Sequence, residues 1–325
     1  MDTSFAVYEF LKRSGWLPGI RPEDISFLAA GEYNENYLAD TGHGKFVFRI
    51  NHGSQLGLSN QIEYEYQVLE AVQGSGVTPK PFHYSLAPGA EVLGDGVLLM
   101  RFLPGRPLDY DLDTNEAAHV FARVHAQPVD ARLLVQRNPV LDIARESLGL
   151  IERYPDHPLE ERRPALLRYH DRVLGWGHEV EALFGDDPLV MVNTEVNSHN
   201  FLIDDSGPVK RAYLVDWEKA VISCRYQDLG HFLVPTTTLW RADKRYSPEE
   251  KKNFLESYLK HSGLGCGIDE MVYKTGVLEK TILLRAMSWC FMAYYEYTRE
   301  NRALKNESTF RKIKQYLGEM ECFFK

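Results

Sequence analysis

The sequence predicts a two-lobed α+β chain, in which a small strand-rich lobe with one helix precedes a larger, mainly helical lobe. Three observations predict it. Short apolar runs separated by turn residues fill the first hundred positions, helical periodicity dominates beyond Gly105, and one hairpin interrupts the helices near residue 200. The change in composition at Pro104–Leu108 sets the boundary, giving lobes of residues 1–104 and 105–325.

The first element is a short amphipathic helix, because Phe5 to Ser14 places Val7, Phe10 and Leu11 at i, i+3 and i+4 and Gly15 closes it. Strands follow at Ile25–Ala29, Tyr37–Ala39 and Phe46–Ile50, separated by turn signals at Gly31 and at Thr41-Gly42-His43-Gly44. A helix over Asn60–Val72 carries Glu63 and Glu65. The strand Val97–Met100 then runs into Arg101-Phe102-Leu103-Pro104-Gly105.

In the second lobe, Asp113 and Glu116 fit a capping box for a helix ending at His125, with Val120, Phe121 and Val124 as its apolar residues. Pro128 to Asp187 is helical, rich in Arg, Glu and Leu, and interrupted by Pro155, Pro158 and Pro164. Phe201-Leu202-Ile203 and Ala212–Val215 flank the turn Asp204-Asp205-Ser206-Gly207-Pro208 and form a β-hairpin. Amphipathic helices complete the chain, notably Val277–Tyr297, with Trp289, Tyr294 and Tyr295 expected in the core.

Composition narrows the function classes. A formal charge of -9 and a pI near 5.7 argue against nucleic-acid binding, which uses clustered Lys and Arg on phosphates. The four cysteines, Cys224, Cys266, Cys290 and Cys322, are widely spaced without a C-x-x-C, so neither a zinc site nor a disulfide framework is expected. No run approaches the roughly 18 apolar residues of a membrane span, and the first residues lack a cleavage-type site. A cytoplasmic protein is expected.

The chemistry concentrates between Val190 and Glu218. The hairpin brings Glu195, Asn200 and Asp216 towards one end, where a carboxylate for a nucleophile and two oxygen ligands for Mg²⁺ could converge. An ordinary polar hairpin with solvated carboxylates is the alternative. The spacing Asn193-Thr194-Glu195, four residues, Asn200, then Val215-Asp216-Trp217-Glu218 resembles the catalytic segment of the aminoglycoside phosphotransferase and choline kinase-like family. That family shows H-G-D-x-x-x-x-N and then I-D-W. Here the metal-ligand pair matches and Glu195 stands in place of the catalytic Asp.

The resemblance extends from about Ile25 to Leu233 and implies a protein kinase-like fold with a mainly antiparallel β N-lobe. It implies a nucleotide loop at Gly31, Arg49 directed to the phosphates and paired with Glu65 (or Glu63), and an adenine hinge at Met100 and Phe102. Asp228 corresponds to an aspartate that supports the catalytic loop from behind. His125 is assigned no chemistry. Asn197 stands where many kinases place a cation near the transferred phosphate.

The function implied is transfer of the γ-phosphate of ATP to a hydroxyl of a small molecule, with Asn200 and Asp216 on Mg²⁺ and Glu195 as base. A nucleotide-binding pseudokinase is the alternative raised by Glu195; transfer of another part of the nucleotide, or phosphorylation of a protein, is a third. The acids Asp109, Asp111, Asp113, Asp204 and Asp205 favour a cationic acceptor.

Overall fold

The alternation of Val47, Phe48, Arg49 and Ile50 along one strand divides the first lobe into two packed layers. Phe48 and Ile50 join Val97 and Leu99 beneath the helix that supplies Val7, Phe10 and Leu11; Val47 joins Leu98 and Met100 on the opposite face. Arg49 therefore shares the face that looks into the interior of the molecule. The computed structural model describes residues 2–299 and 306–325.

Helix α1 (Thr3–Ser14) ends at Gly15 in the left-handed conformation. It covers a sheet of β1 (Ile25–Ala30), β2 (Asn34–Thr41), β3 (Gly44–Asn51), β4 (Pro81–Ser85) and β5 (Gly96–Arg101). All neighbouring strands are antiparallel, in the order β1-β2-β3-β5-β4. Helix α2 (Gln61–Val72) packs on the other face through Ile62, Val68 and Leu69. Strand β4 has no expectation in the sequence because it opens on Pro81, which is tolerated as the first residue of an edge strand.

The second lobe begins with β6 (Arg106–Pro107), which pairs with the hairpin of β8 (Phe201–Asp204) and β9 (Arg211–Leu214). Gly105, at φ 146°, lies where an added Cβ would fall 2.9 Å from the Ile203 nitrogen, so only glycine lets the chain cross the hairpin there. Strands β7 (Leu189–Val192) and β10 (Val221–Cys224) form a separate antiparallel pair around the loop that precedes the hairpin.

The helices are α3 (Thr114–His125), α4 (Pro139–Glu152), α5 (Arg163–Val180), α6 (Tyr226–Leu233), α7 (Pro235–Arg241), α8 (Pro248–Ser262), α9 (Ile268–Tyr297), α10 (Glu307–Gly318) and the single turn α11 (Met320–Phe323). The thirty-residue α9 is their axis, packed by α4, α5, α6, α8 and α10. Gly230 permits the close approach of α6, since a Cβ there would meet the Glu279 amide nitrogen at 2.9 Å. This is a small antiparallel sheet lobe beside a helical lobe, the kinase-like arrangement expected. Among the described residues no helix is long and apolar enough to cross a membrane.

Two expectations are corrected. Asp113 makes no capping hydrogen bond; its fully buried carboxylate accepts from Arg106, Lys210 and the Asp109 amide. Two cations and an amide outcompete one helix terminus for that carboxylate. Trp289, Tyr294 and Tyr295 are half-buried rather than core: Trp289 lines an open cavity, Tyr294 meets Phe310, and Tyr295 stacks on Tyr154 and donates to exposed Asp156.

Candidate active site

Strand β7 delivers the chain into the loop of residues 193–200, and the loop is held from behind. The Asp228 carboxylate, buried on α6, accepts from the backbone N–H of Asn193 at 2.8 Å and of Thr194 at 2.9 Å. His125 reaches the same carboxylate at 3.4 Å and the Tyr258 hydroxyl at 2.9 Å, a structural contact in the interior. Asp228→Asn would leave one loop amide facing an NH₂ group instead of an oxygen. A buried unsatisfied donor costs about 1–3 kcal/mol, so the expected result is a lowered urea midpoint with an unchanged slope.

Among the described residues two non-glycines adopt left-handed backbone, Thr194 at φ 67° and Asp216 at φ 65°. Such conformations are costly for a β-branched residue and persist when the surroundings over-determine them. Thr194 is fixed at its N–H by Asp228 and at its hydroxyl by the Lys219 carbonyl, 2.9 Å away. The Asp216 carbonyl accepts from Asn193 Nδ2 at 2.8 Å, and Asn193 Oδ1 accepts the Glu195 amide at 3.0 Å. Asn193 thereby ties Asp216 to Glu195.

These ties bring together the three residues singled out by the hairpin. Asn200 donates its Nδ2 to the Glu195 carbonyl at 2.6 Å, which leaves Oδ1 as its available ligand atom. Carboxylate oxygens of Glu195, Asp216 and Glu218 lie within 4.8 Å of one another. Hard oxygen donors gathered this closely suit Mg²⁺. Gln55 bridges two of them, donating to Glu195 and Glu218 at 3.1 Å each, and Asn34 donates to the other oxygen of Glu218.

Electrostatics agree with a site built for a cation. Burial, then the charge of Asp216, pushes the Glu195 carboxyl up to about 7, against the pull of Lys219, Gln55 and Arg285. Burial first, then Asp216 and Glu195, pushes Glu218 well above its ordinary value. A carboxyl raised on folding contributes stability in full below its unfolded value of 4.5 and loses that contribution as pH rises through about 7. The metal-free protein should therefore lose thermal stability across that window. Added Mg²⁺, which selects the ionised carboxylates, should restore more of it above about pH 7 than near pH 5; a Mg²⁺ effect independent of pH would contradict this.

Arg49 and Glu65 meet at 2.6 Å in the interior, and the same guanidinium nitrogen lies 3.0 Å from Asp216. Glu63 instead accepts from the Tyr84 hydroxyl at 3.0 Å. Burial opposes the Arg49 charge, but Glu65, Asp216 and Glu218 together raise its pKa. Burial also pushes Glu65 up, against the pull of Arg49.

A cavity of about 640 Å³ runs from the sheet lobe to α9 and is lined by Gly31, Arg49, Met100 and Phe102 on one side of Glu195. The Gly31 amide is already bonded to the Asn34 carbonyl at 2.8 Å, and the Phe102 amide to the Lys45 carbonyl at 3.2 Å. Neither N–H is free in this conformation, which revises how a nucleotide could use that loop and hinge. The carboxylate of Glu32, which also lines the cavity, accepts from the Tyr297 hydroxyl at 2.8 and 2.9 Å, joining the β1–β2 loop to α9.

On the far side the cavity is lined by Lys219, His231, Thr236, Trp240, Arg285 and Trp289. Sequence reasoning places Trp289 in the core, passes over the other five and Gln55, and gives Glu218 no role among the carboxylates. Only Glu218 carried a signal, its place directly after Asp216-Trp217. Asn197, where the resemblance implied a cation, bonds back to the Glu195 carbonyl; the cations acting on Glu195 are Lys219 and Arg285.

The acids thought to favour a cationic acceptor are engaged elsewhere. Asp113 pairs with Arg106 and Lys210, Asp111 with Lys244, and Asp205 with Arg106, while Asp109 and Asp204 accept from residues of their own turns.

The fold has close counterparts among solved structures. An ethanolamine kinase from Plasmodium vivax superposes with a TM-score of 0.68 at 13% identity, covering 96% of this chain and 85% of that one. A choline/ethanolamine kinase family protein from Mesorhizobium loti gives 0.66 at 16% identity, covering 100% and 95%. A spectinomycin phosphotransferase solved with ADP and spectinomycin gives 0.56 at 14% identity, covering 91% and 88%. Among curated protein sequences none matches. The sequence profile of the phosphotransferase enzyme family matches residues 24–267, three quarters of the chain, and with the kinase-like fold it shows that this protein belongs to that family.

Proposed function

We propose that this protein transfers the γ-phosphate of ATP, taken as its Mg²⁺ complex, to a hydroxyl of a small molecule, with Glu195 orienting that hydroxyl and accepting its proton. The observation that carries the proposal is the gathering of carboxylate oxygens of Glu195, Asp216 and Glu218 within 4.8 Å of one another, beside Asn200, which bonds to the Glu195 carbonyl.

Asn200, Asp216 and Glu218 would hold the metal ion, and when bound it supplies positive charge that offsets the carboxylates and the phosphates. Arg49, fixed by Glu65, presents a permanent charge to the phosphates from the sheet lobe. Glu195 is longer than the family's Asp by one methylene. The Gln55 amide fixes its carboxylate, and Asn193 fixes its backbone, so the longer side chain is held rather than loose. Catalysis by a group in this position depends on placement within about 1 Å.

The test is acceptor-dependent formation of ADP by the purified protein in the presence of Mg²⁺. The panel should include choline, ethanolamine and spectinomycin, named for the related structures, together with neutral polyols and hydroxy acids. ADP formation that rises with one acceptor class supports the proposal. Tight Mg·ATP binding with no consumption across the panel would favour the pseudokinase, which the Asp-to-Glu difference at Glu195 makes the second reading.

A further inference from the structure

We propose that the acceptor carries an anionic group, a carboxylate or a phosphate, that pairs with Arg285 on the cavity wall formed by α9; this rests on the phosphotransferase reading above. Arg285 is only 4% exposed, yet it lines the cavity. Its Nη2 donates to the Thr194 carbonyl at 3.4 Å and to His231 Nδ1 at 3.2 Å. Among the described residues no carboxylate oxygen lies within 4.0 Å of it. Arginine has five N–H donors and no acceptor, so most of this guanidinium's capacity is unspent.

The carboxylates of Glu195 and Glu146 feel the Arg285 charge, but neither forms a contact pair with it. An arginine can only donate, which makes His231 Nδ1 the acceptor and the ring neutral. Burial, then Arg285 and Lys219, keep that imidazole well below its ordinary pKa. Lys219 also lines the cavity, and its partner is Glu146 on α4 at 3.3 Å. This wall thus holds two cations, with Glu146 paired to Lys219 and the Glu195 carboxylate feeling both, and Arg285 alone of the two has no carboxylate in contact. Arg49 and Lys274, buried to a similar degree, each hold two carboxylates. Arg225 also lacks a carboxylate, but it rests on the Tyr258 hydroxyl outside the cavity.

Position and shape complete the assignment. Arg285 contacts the residue immediately before Glu195, so an anion held there places the rest of an acceptor beside the base. Trp289, one turn further along α9, meets Trp240 at 6.0 Å edge to face and supplies an apolar wall, and the Thr236 side chain lies nearby on α7. The planar guanidinium fork matches carboxylate and phosphate oxygens, whereas a cationic head would meet like charge at Arg285 and Lys219. The competing features are the two tryptophans, whose faces attract cations, and the carboxylates of Glu195, Asp216 and Glu218 in the same cavity.

The experiment uses the full chain saturated with Mg·ADP and four probes that share a hydroxylated three-carbon skeleton. Glycerate and glycerol phosphate are anionic, glycerol is neutral and 3-amino-1,2-propanediol is cationic. Thermal stabilisation by either anion, at least about tenfold lower in half-saturating concentration than for glycerol or the amine, is expected; which anion ranks first identifies its source. Arg285→Met should abolish that ranking while stabilisation by Mg·ADP persists, and Arg285→Lys should keep part of it.

The ranking is read on the parent protein, so a poorly folding variant does not remove the test. Equal response to all four probes, or preference for the amine, overturns the anion assignment and leaves phosphotransfer standing. An anion ranking that depends on Arg285, in a protein that forms no ADP from ATP with any acceptor, upholds the anion site and rejects the phosphotransferase reading instead.

Discussion

Asp216→Asn is expected to lower turnover by about 10³ or more and to remove most of the metal-dependent stabilisation by ATP. The substitution keeps the shape of the side chain and removes its charge from two places at once. One is the oxygen cluster shared with Glu195 and Glu218; the other is the 3.0 Å pair with Arg49. A metal ion at a phosphoryl centre is worth several kcal/mol of charge stabilisation, and each 1.36 kcal/mol is about tenfold in rate. The checks are steady-state ADP formation and thermal shift with ATP, each with and without Mg²⁺. Equal stabilisation of variant and parent by Mg·ATP would remove Asp216 from the metal site.

Glu195→Gln is expected to lower turnover by about 10² or more while Mg·ATP binding changes little. The amide preserves size and can still meet Gln55, but it cannot take the proton from a hydroxyl. It should also raise the stability of the metal-free protein above about pH 7, because it removes a carboxylate that burial and Asp216 both disfavour. Loss of activity with gain of stability separates a functional residue from a structural one. Unchanged turnover would assign the base elsewhere, with exposed His199 in the same loop as the first candidate. Glu195→Asp shortens the side chain to the family's residue: a gain means a site still shaped for Asp, and a loss means one adapted to Glu.

Much of the fold was legible because its signals are local. The alternation around Phe48, the stripe Val7, Phe10 and Leu11, and the turn Asp204–Pro208 each report on neighbouring residues. The site was legible as far as a single segment carries it. Glu195, Asn200 and Asp216 lie within 22 positions of one another, and the structure brings them together; it also brings Arg49 to Glu65.

What stayed hidden depends on long-range packing. Gln55 reaches Glu195 from 140 positions away, and Arg285 reaches Thr194 across 91. In α9 the sequence shows an apolar helix with scattered charge, which does not say that Arg285 and Trp289 face a cavity while Leu284 and Phe291 face the core. The pairing of Asp111 and Asp113 stayed hidden for the same reason. Their partners Arg106, Lys210 and Lys244 come from three separate stretches of chain.

The most direct test of γ-phosphate transfer supported by Glu195 is ³¹P NMR of a reaction between the parent protein, Mg·ATP and the best acceptor of the panel. The account predicts that ADP and a new phosphomonoester resonance of the acceptor appear in equal amounts, and that Glu195→Gln slows both together. Appearance of AMP with a nucleotidylated acceptor, or ATP left intact by a protein that binds it tightly, would contradict the account.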